Sequence, residues 1–239
     1  MRKIPVLITS VAKPNAPFVA LNNPIERINC TIESLKHWAL ISPAPDIIIC
    51  DGSGYDFRAL ISATPQLKTL NIEVLHFFND IEMVKNKGKG YGEGEIIAYA
   101  LGHSNILNKC DTFSKCTAKY WVKNFQECCH SHQKNISIEK YYETRYSLSY
   151  RSCDTRFYIV EKDFYLNTLV NSHKNSNDFQ SYFLEHAFAK DILLRKITGT
   201  EFKTKPLVYG MSGSSGEFSA SRPEGIRKKI LRKIRRNFS

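Results

Sequence analysis

The chain has 239 residues, 42% of them hydrophobic and 24% charged, which suits one soluble globular domain with a proper core. No apolar run approaches the roughly 20 residues needed to cross a bilayer, so a membrane-spanning protein is excluded. Of the net charge of +11, the segment from Arg222 to Ser239 carries +7 through eight Lys and Arg against one Glu, leaving +4 for the rest. A nucleic-acid-binding domain would spread its basic residues over a folded face, so no nucleic-acid partner is expected.

The start, MRKIPVLITSVAKP, has an apolar stretch of only about six residues, broken by Lys13 and Pro14, too short for a signal peptide. Residues 4–9 (IPVLIT) read as a buried first strand. A proline-bearing loop follows, then an amphipathic helix with Pro24 just inside it, running through Glu26, Ile28, Ile32, Leu35 and Trp38. Residues 46–50 (DIIIC) form a second buried strand that stops at Asp51-Gly52-Ser53-Gly54, completing a βαβ unit. Parallel sheets of this kind bind ligands beyond the carboxyl ends of their strands, where Asp51 sits.

Residues 72–78 (IEVLHFF) predict a third strand. After it, Gly88, Gly90, Gly92 and Gly94 alternate with Lys87, Lys89 and Glu93 and lead into a helix marked by Ile96, Ile97, Ala100 and Leu101. Such a loop at a helix N-terminus suits a phosphorylated ligand, with a plain flexible loop as the alternative. It matches neither a P-loop nor a Rossmann fingerprint. Residues 112–125 (TFSKCTAKYWVKNF) read as a strand in preference to a helix, because their apolar residues share no helical stripe. Residues 127–149 are polar and aperiodic and predict a flexible or acceptor-facing insertion. A strand over 154–160 (DTRFYIV), a helix from Lys162 to about His173 and a second helix bearing Glu185, His186, Phe188 and Ile192 follow. Residues 210–216 (GMSGSSG) read as a mobile loop ahead of the tail.

Seven cysteines, at 30, 50, 110, 116, 128, 129 and 153, with no CxxC pair, fit reduced thiols in cytoplasm. Cys128, Cys129, His130 and His132 lack a second half at ligand spacing and do not read as a zinc site. In the tail, Ile226, Ile230, Leu231, Ile234 and Phe238 collect on one side of a helix ringed by seven cations. That pattern predicts a helix lying on an anionic membrane surface.

The first strand, DIIICDGSG, KGKGYGEGEIIAYAL, FSKCTAKYWVKN, DTRFYIVEKDFY, FLEH and GMSGSSG together resemble bacterial glycosyltransferases of GT-A fold that build capsule, O-antigen or lipopolysaccharide chains. The resemblance covers most of residues 3–216. It implies an α/β, Rossmann-like GT-A domain over 1–216, with a mixed, mostly parallel central sheet, followed by a basic amphipathic membrane-associating tail over 217–239. It also implies that Asp51 meets the nucleotide base or ribose, and that Lys115 to Asn124 lies beneath the donor sugar and diphosphate. Most GT-A enzymes carry Asp-x-Asp at the end of the central strand to hold a divalent metal, whereas this chain reads Cys116-Thr117-Ala118-Lys119-Tyr120 there. Metal-independent catalysis is therefore expected, with Lys119, Arg156 and the loop lysines neutralising the leaving group, and no cofactor. Glu93 with Glu95, or Glu161 with Asp163, are the alternatives for holding Mn or Mg.

The expected donor site comprises Asp51, Ser53, Lys87, Lys89, Gly92, Glu95, Lys119, Tyr120, Asp154 and Arg156. Glu185, with His186 beside it, is the expected general base for an acceptor hydroxyl. Plainer readings stand next to these: Asp51 as a turn cap, Asp154 and Arg156 as a surface ion pair, Glu185 as a solvated helix residue. The function expected is sugar transfer from a nucleotide-sugar donor to a glycan or lipid-linked acceptor, by an enzyme peripheral on the inner face of the cytoplasmic membrane. A nucleotidyltransferase is the rival, though SVAKPNAPF lacks the glycine-rich loop usual after strand one. A non-enzymatic nucleotide- or glycan-binding module is third.

Overall fold

The structure, a computed structural model, describes residues 3–144, 147 and 149–238, without the side chains of residues 237 and 238. The Phe238 side chain and Ser239 of the expected tail therefore lie outside it, as do residues 145, 146 and 148 of the expected insertion.

In chain order, β1 (Val6–Ser10), α1 (Pro24–Ala39), β2 (Ile47–Asp51), α2 (Arg58–Ala63), β3 (Ile72–His76), α3 (Ile81–Lys87), α4 (Lys89–His103), α5 (Asn105–Asn108) and β4 (Thr112–Thr117) form the first half. The second half holds β5 (Tyr120–Val122), α6 (Phe125–Ser131), β6 (Ile136–Tyr142), β7 (Tyr150–Glu161), α7 (Lys162–Phe164), α8 (Leu184–Leu194), β8 (Val208–Met211), β9 (Phe218–Ala220) and α9 (Ile226–Phe238). The main sheet has the order β3-β2-β1-β4-β7-β6. Its first four strands are parallel, while β7 runs antiparallel to β4 and to β6. A second, antiparallel sheet has the order β5-β8-β9.

The unbroken apolar runs of β1 and β2 are explained by cover on both faces. On one face Leu7, Ile48, Phe113 and Tyr158 pack with Ile96, Ile97 and Ala100 of α4 and Phe188 and Ile192 of α8. On the other, Val6, Ile8, Ile47 and Ile49 pack with Leu35 and Trp38 of α1. Asn23 caps α1 by accepting from Ile25 N and Glu26 N, and Pro24 stands at its first position. The indole of Trp38 donates to Tyr120 O at 3.1 Å, tying α1 to the second sheet.

Four expectations change. The glycine-rich segment is not a loop: Gly90, Gly92 and Gly94 lie within α4, and only Gly88 interrupts the chain, at φ 102°. The glycines serve close packing, since a Cβ on Gly94 would stand 2.2 Å from the His173 side chain, and one on Gly92 2.5 Å from Asn79. The polar stretch 127–149 is not an insertion, because it supplies most of α6 and the edge strand β6. The single helix from Lys162 breaks after α7 into a π turn over Tyr165–Leu169 and a 3-10 turn over Ser172–Asn175. Finally, GMSGSSG is the hydrogen-bonded turn of the β8–β9 hairpin, closed by Ser212 N to Glu217 O at 2.8 Å.

Residues 217–239 thus begin with β9, paired to β8, before the helix α9. That helix docks largely through cations, Arg232 foremost, while the three isoleucines of its apolar stripe stay exposed. Arg232 is buried and donates to both Glu139 oxygens at 2.5 and 2.9 Å, to both Glu224 oxygens at 2.9 and 2.7 Å, and to Glu201 at 3.2 Å. Ile226, Ile230 and Ile234 remain 78%, 55% and 46% exposed. Among the described residues no helix is long and apolar enough to cross a membrane.

Candidate active site

A cleft of ≈ 540 Å³ opens at the carboxyl ends of the parallel strands, bounded by Thr9 and Val11 after β1, Gly52 and Ser53 after β2, Thr117 and Lys119 after β4, and the turn Ser212–Ser215. The switch in strand order at β1 between β2 and β4 leaves this crevice, as expected of an open α/β sheet. Of the expected residues, Ser53, Lys89, Gly92, Lys119, Tyr120, Arg156 and Glu185 line it.

Glu185, in the first turn of α8, accepts from Thr155 Oγ1 of β7 at 3.1 Å. Burial, reinforced by the Glu93 carboxylate, raises its pKa above the ordinary glutamate value. His186 takes no place in the cleft lining: its Nδ1 accepts from Phe183 N at 3.1 Å, and its ring stacks on Tyr182 and Phe183. It belongs to the start of α8 as a capping residue.

Asp51 departs furthest from expectation, being 0% exposed. Its Oδ2 accepts from Ala12 N at 2.8 Å, and its Oδ1 from Ser53 N at 2.8 Å, Ser53 Oγ at 2.6 Å and Tyr55 N at 3.1 Å. The carboxylate therefore organises the two loops that floor the cleft and is not an exposed nucleotide contact. Glu95 is likewise structural, accepting from Asp80 N at 3.1 Å outside the lining. Lys87 also lies outside the lining and donates to Lys174 O at 2.5 Å.

The remaining cations differ in how far they are neutralised. Arg156 grips Asp154 at 2.9 and 2.6 Å, while Tyr141 donates to the same carboxylate at 2.9 Å. The pair raises the guanidinium pKa and holds Asp154 low. Arg156 also borders a second cavity of ≈ 530 Å³, shared with Tyr142, Glu201, Glu224 and Arg232 beneath α9. Lys89 donates from its backbone to Asp178 at 2.9 Å and from Nζ to Ser214 Oγ.

Sequence reasoning missed a buried network at the end of β4. Lys115, fully buried, pairs with Glu93 of α4 and donates to Thr117 Oγ1 at 2.8 Å and Thr155 O at 2.7 Å. Thr9 and Thr117 donate to the same Glu93 oxygen at 3.2 and 3.0 Å. The alternation of Lys115 and Thr117 along a strand was the only available signal. Arg27 of α1 was also missed. It reaches back into the cleft wall, donating to Val11 O at 2.7 Å and Leu21 O at 2.8 Å.

The end of β4 does not offer the paired carboxylates that hold a divalent metal. The strand end presents a hydroxyl and an ammonium, Thr117 and Lys119, and the nearby Glu93 carboxylate is held by Lys115. Glu161 pairs with Thr112 at the opposite end of β4 from the cleft, which takes the Glu161 and Asp163 pair away from the site.

No protein-family model and no curated protein sequence matches this chain. Among solved structures, it is similar to the inositol-1-phosphate CTP transferase of T. maritima, with a TM-score of 0.51 at 11% identity, over 99% of this chain and 98% of that one. A Desulfovibrio desulfuricans G20 protein described as a nucleotide-diphospho-sugar transferase gives 0.49 at 9% identity, over 84% of this chain and 79% of that one. The glycosyltransferase GlyE of Streptococcus pneumoniae TIGR4 gives 0.44 at 8%, over 82% of this chain and 44% of that one. The T. maritima likeness shows the fold alone, and the two weaker ones add nothing to it.

Proposed function

We propose that this protein is a GT-A-type glycosyltransferase that moves a hexosyl or deoxyhexosyl unit from a nucleotide-sugar donor to a glycan or lipid-linked acceptor in cell-surface polysaccharide synthesis. The observation that carries the reading is Glu185: a carboxylate of raised pKa, fixed by Thr155, facing a cleft at the strand ends that also holds several cations. The acceptor hydroxyl attacks the anomeric carbon and gives its proton to Glu185. The bond from that carbon to the donor's diphosphate breaks, its electron pair staying with the diphosphate. Side-chain cations of the cleft stabilise the charge released, and the reaction needs no metal.

The exposed Ile226, Ile230 and Ile234, beside exposed Arg227, Lys228, Lys229 and Lys233, favour an inner-leaflet membrane partner for α9. Such attachment holds the enzyme near a lipid-linked acceptor. The deciding experiment is incubation with nucleotide sugars and candidate acceptors, with the released product identified. Nucleoside diphosphate supports sugar transfer. Pyrophosphate released from a nucleoside triphosphate and a sugar phosphate replaces this reading with nucleotidyl transfer.

A further inference from the structure

We propose that Arg27, Lys119 and the Ser212–Ser215 turn form a diphosphate-binding site that takes the leaving group of a nucleoside diphosphate without a metal. The assignment rests on the transferase reading for its place in the reaction, but on geometry for its location. Lys119 sits on the turn between β4 and β5 at φ 75°, a left-handed backbone unusual for lysine. The packing that holds it there is tight: Met211 N donates to Lys119 O at 3.1 Å, and a Cβ on Gly210 would stand 2.0 Å from that same oxygen. The side chain is 5% exposed, yet it lines the cleft. Its ammonium forms no hydrogen bond or ion pair with any described residue.

A second cation stands beside it. A Cβ on Gly213 would lie 3.4 Å from Arg27 Nη1 and 3.8 Å from Lys119 Nζ, so both charges meet under that turn. Leu21 N donates to Gly213 O at 3.2 Å, fixing the turn over them. The guanidinium is hydrogen-bonded to two neutral carbonyls and, among the described residues, to no carboxylate; Asp51 acts on it only through space, its own oxygens being taken by Ala12, Ser53 and Tyr55. Of the other basic groups near the strand ends, Arg156 is engaged with Asp154, Lys115 with Glu93 and Lys89 with Ser214, while Lys13 is exposed and keeps its hydration. Two desolvated cations side by side repel each other and lack the water that would screen them. A doubly or triply charged diphosphate relieves both costs, and the turn's serine hydroxyls can donate to its remaining oxygens.

The groups facing Lys119 are Arg27 and Cys30 from α1, Asp51 from β2 and Glu93 from α4. Burial first, then Arg27, lowers its pKa to about 7. An incoming diphosphate reverses that shift, so binding above pH 7 takes up a proton at Lys119.

The test is titration calorimetry on the full chain in EDTA with inorganic pyrophosphate, uridine, thymidine and guanosine diphosphates, and the free nucleosides. Lys119→Met and Arg27→Met are compared with the parent. Each variant is expected to lose about tenfold or more in affinity for pyrophosphate and for any diphosphate that binds, the loss of one charge-assisted contact. At pH 8, in buffers of different ionisation enthalpy, the parent takes up protons on binding and Lys119→Met does not. Because Lys119→Met removes a buried charge, its unliganded melting temperature stays at or above the parent's, which separates binding from folding. Parental pyrophosphate affinity in Lys119→Met, or no pyrophosphate binding by the parent, overturns the site. Sugar transfer with parental KM in Lys119→Met also overturns the site while leaving the transferase reading intact. Pyrophosphate binding lost in both variants, without turnover of any nucleotide sugar, upholds the site and sinks the transferase reading instead.

Discussion

Asp51→Ala should destabilise the protein. Its carboxylate accepts from three backbone N–H groups, of Ala12, Ser53 and Tyr55, and from the Ser53 hydroxyl, in a position with 0% exposure. A buried donor left without an acceptor costs roughly 1–3 kcal/mol, and the loops after β1 and β2 can relax to rehydrate some of these groups. The net loss is therefore about 3 kcal/mol, not the sum of three full penalties. For a chain of this size about 1 kcal/mol moves the melting temperature by roughly 2–4 °C, so a fall of about 6–12 °C is expected by calorimetry. Urea unfolding should show a lower midpoint with an unchanged slope. A variant that melts with the parent but no longer binds any nucleotide would refute the reasoning and return Asp51 to the role of ligand contact.

Glu185→Gln should lower kcat by about 10²-fold or more while leaving donor affinity near parental, and equal losses in both would argue against a base acting on the acceptor. Turnover should persist in EDTA; complete loss that Mn or Mg restores would contradict side-chain neutralisation of the diphosphate. Arg232→Met leaves Glu139, Glu201 and Glu224 facing each other without their shared cation, a loss of about 3–5 kcal/mol if the helix stayed docked. Undocking α9 limits that cost, so amide exchange over 226–238 should quicken while the parallel strands keep their protection, and unchanged exchange there would rule the clamp out. Burial lowers the His132 pKa to about 4, so the unfolded chain binds more protons between its ordinary value of 6.5 and 4. Stability should therefore fall as pH drops through that window, by at most about 3 kcal/mol, and a parallel fall in His132→Gln would count against the assignment. Vesicles of rising anionic lipid content should pellet the full chain and not one ending at Ser221, and equal pelleting would discard the membrane contact.

The parallel core was legible because β1 and β2 are short apolar, β-branched runs ended by turn residues, a pattern that both-face burial imposes, while the half-buried edge strand β3 still carries β-branched Ile72 and Val74. β6 was not, because its buried face includes polar residues: Ser137 and Lys140 are both buried, the latter with its ammonium 4.0 Å from the Tyr150 ring centre. Spacing cannot reveal a lysine that is paid for by an aromatic face across a strand pair. The alternating glycines misled for a related reason, since in sequence they mimic a phosphate loop, while their partners Asn79, His173 and Leu184 come from distant segments. In the site, Glu185 and Lys119 could be picked out by residue type and place after a strand or at a helix start. Arg27 could not, because Val11, Leu21, Lys119 and Gly213 gather around it only once the second sheet has closed over α1.

The central claim is that the cleft at the ends of β1, β2 and β4 takes a nucleotide diphosphate. Titration of uridine, thymidine and guanosine diphosphates and their sugar conjugates into the parent chain, in EDTA and then in Mn, tests it most directly. At least one diphosphate should bind in EDTA, its sugar conjugate should compete for the same site, and the corresponding free nucleoside should bind far more weakly. Absence of binding by every diphosphate and conjugate, with and without Mn, would contradict the account.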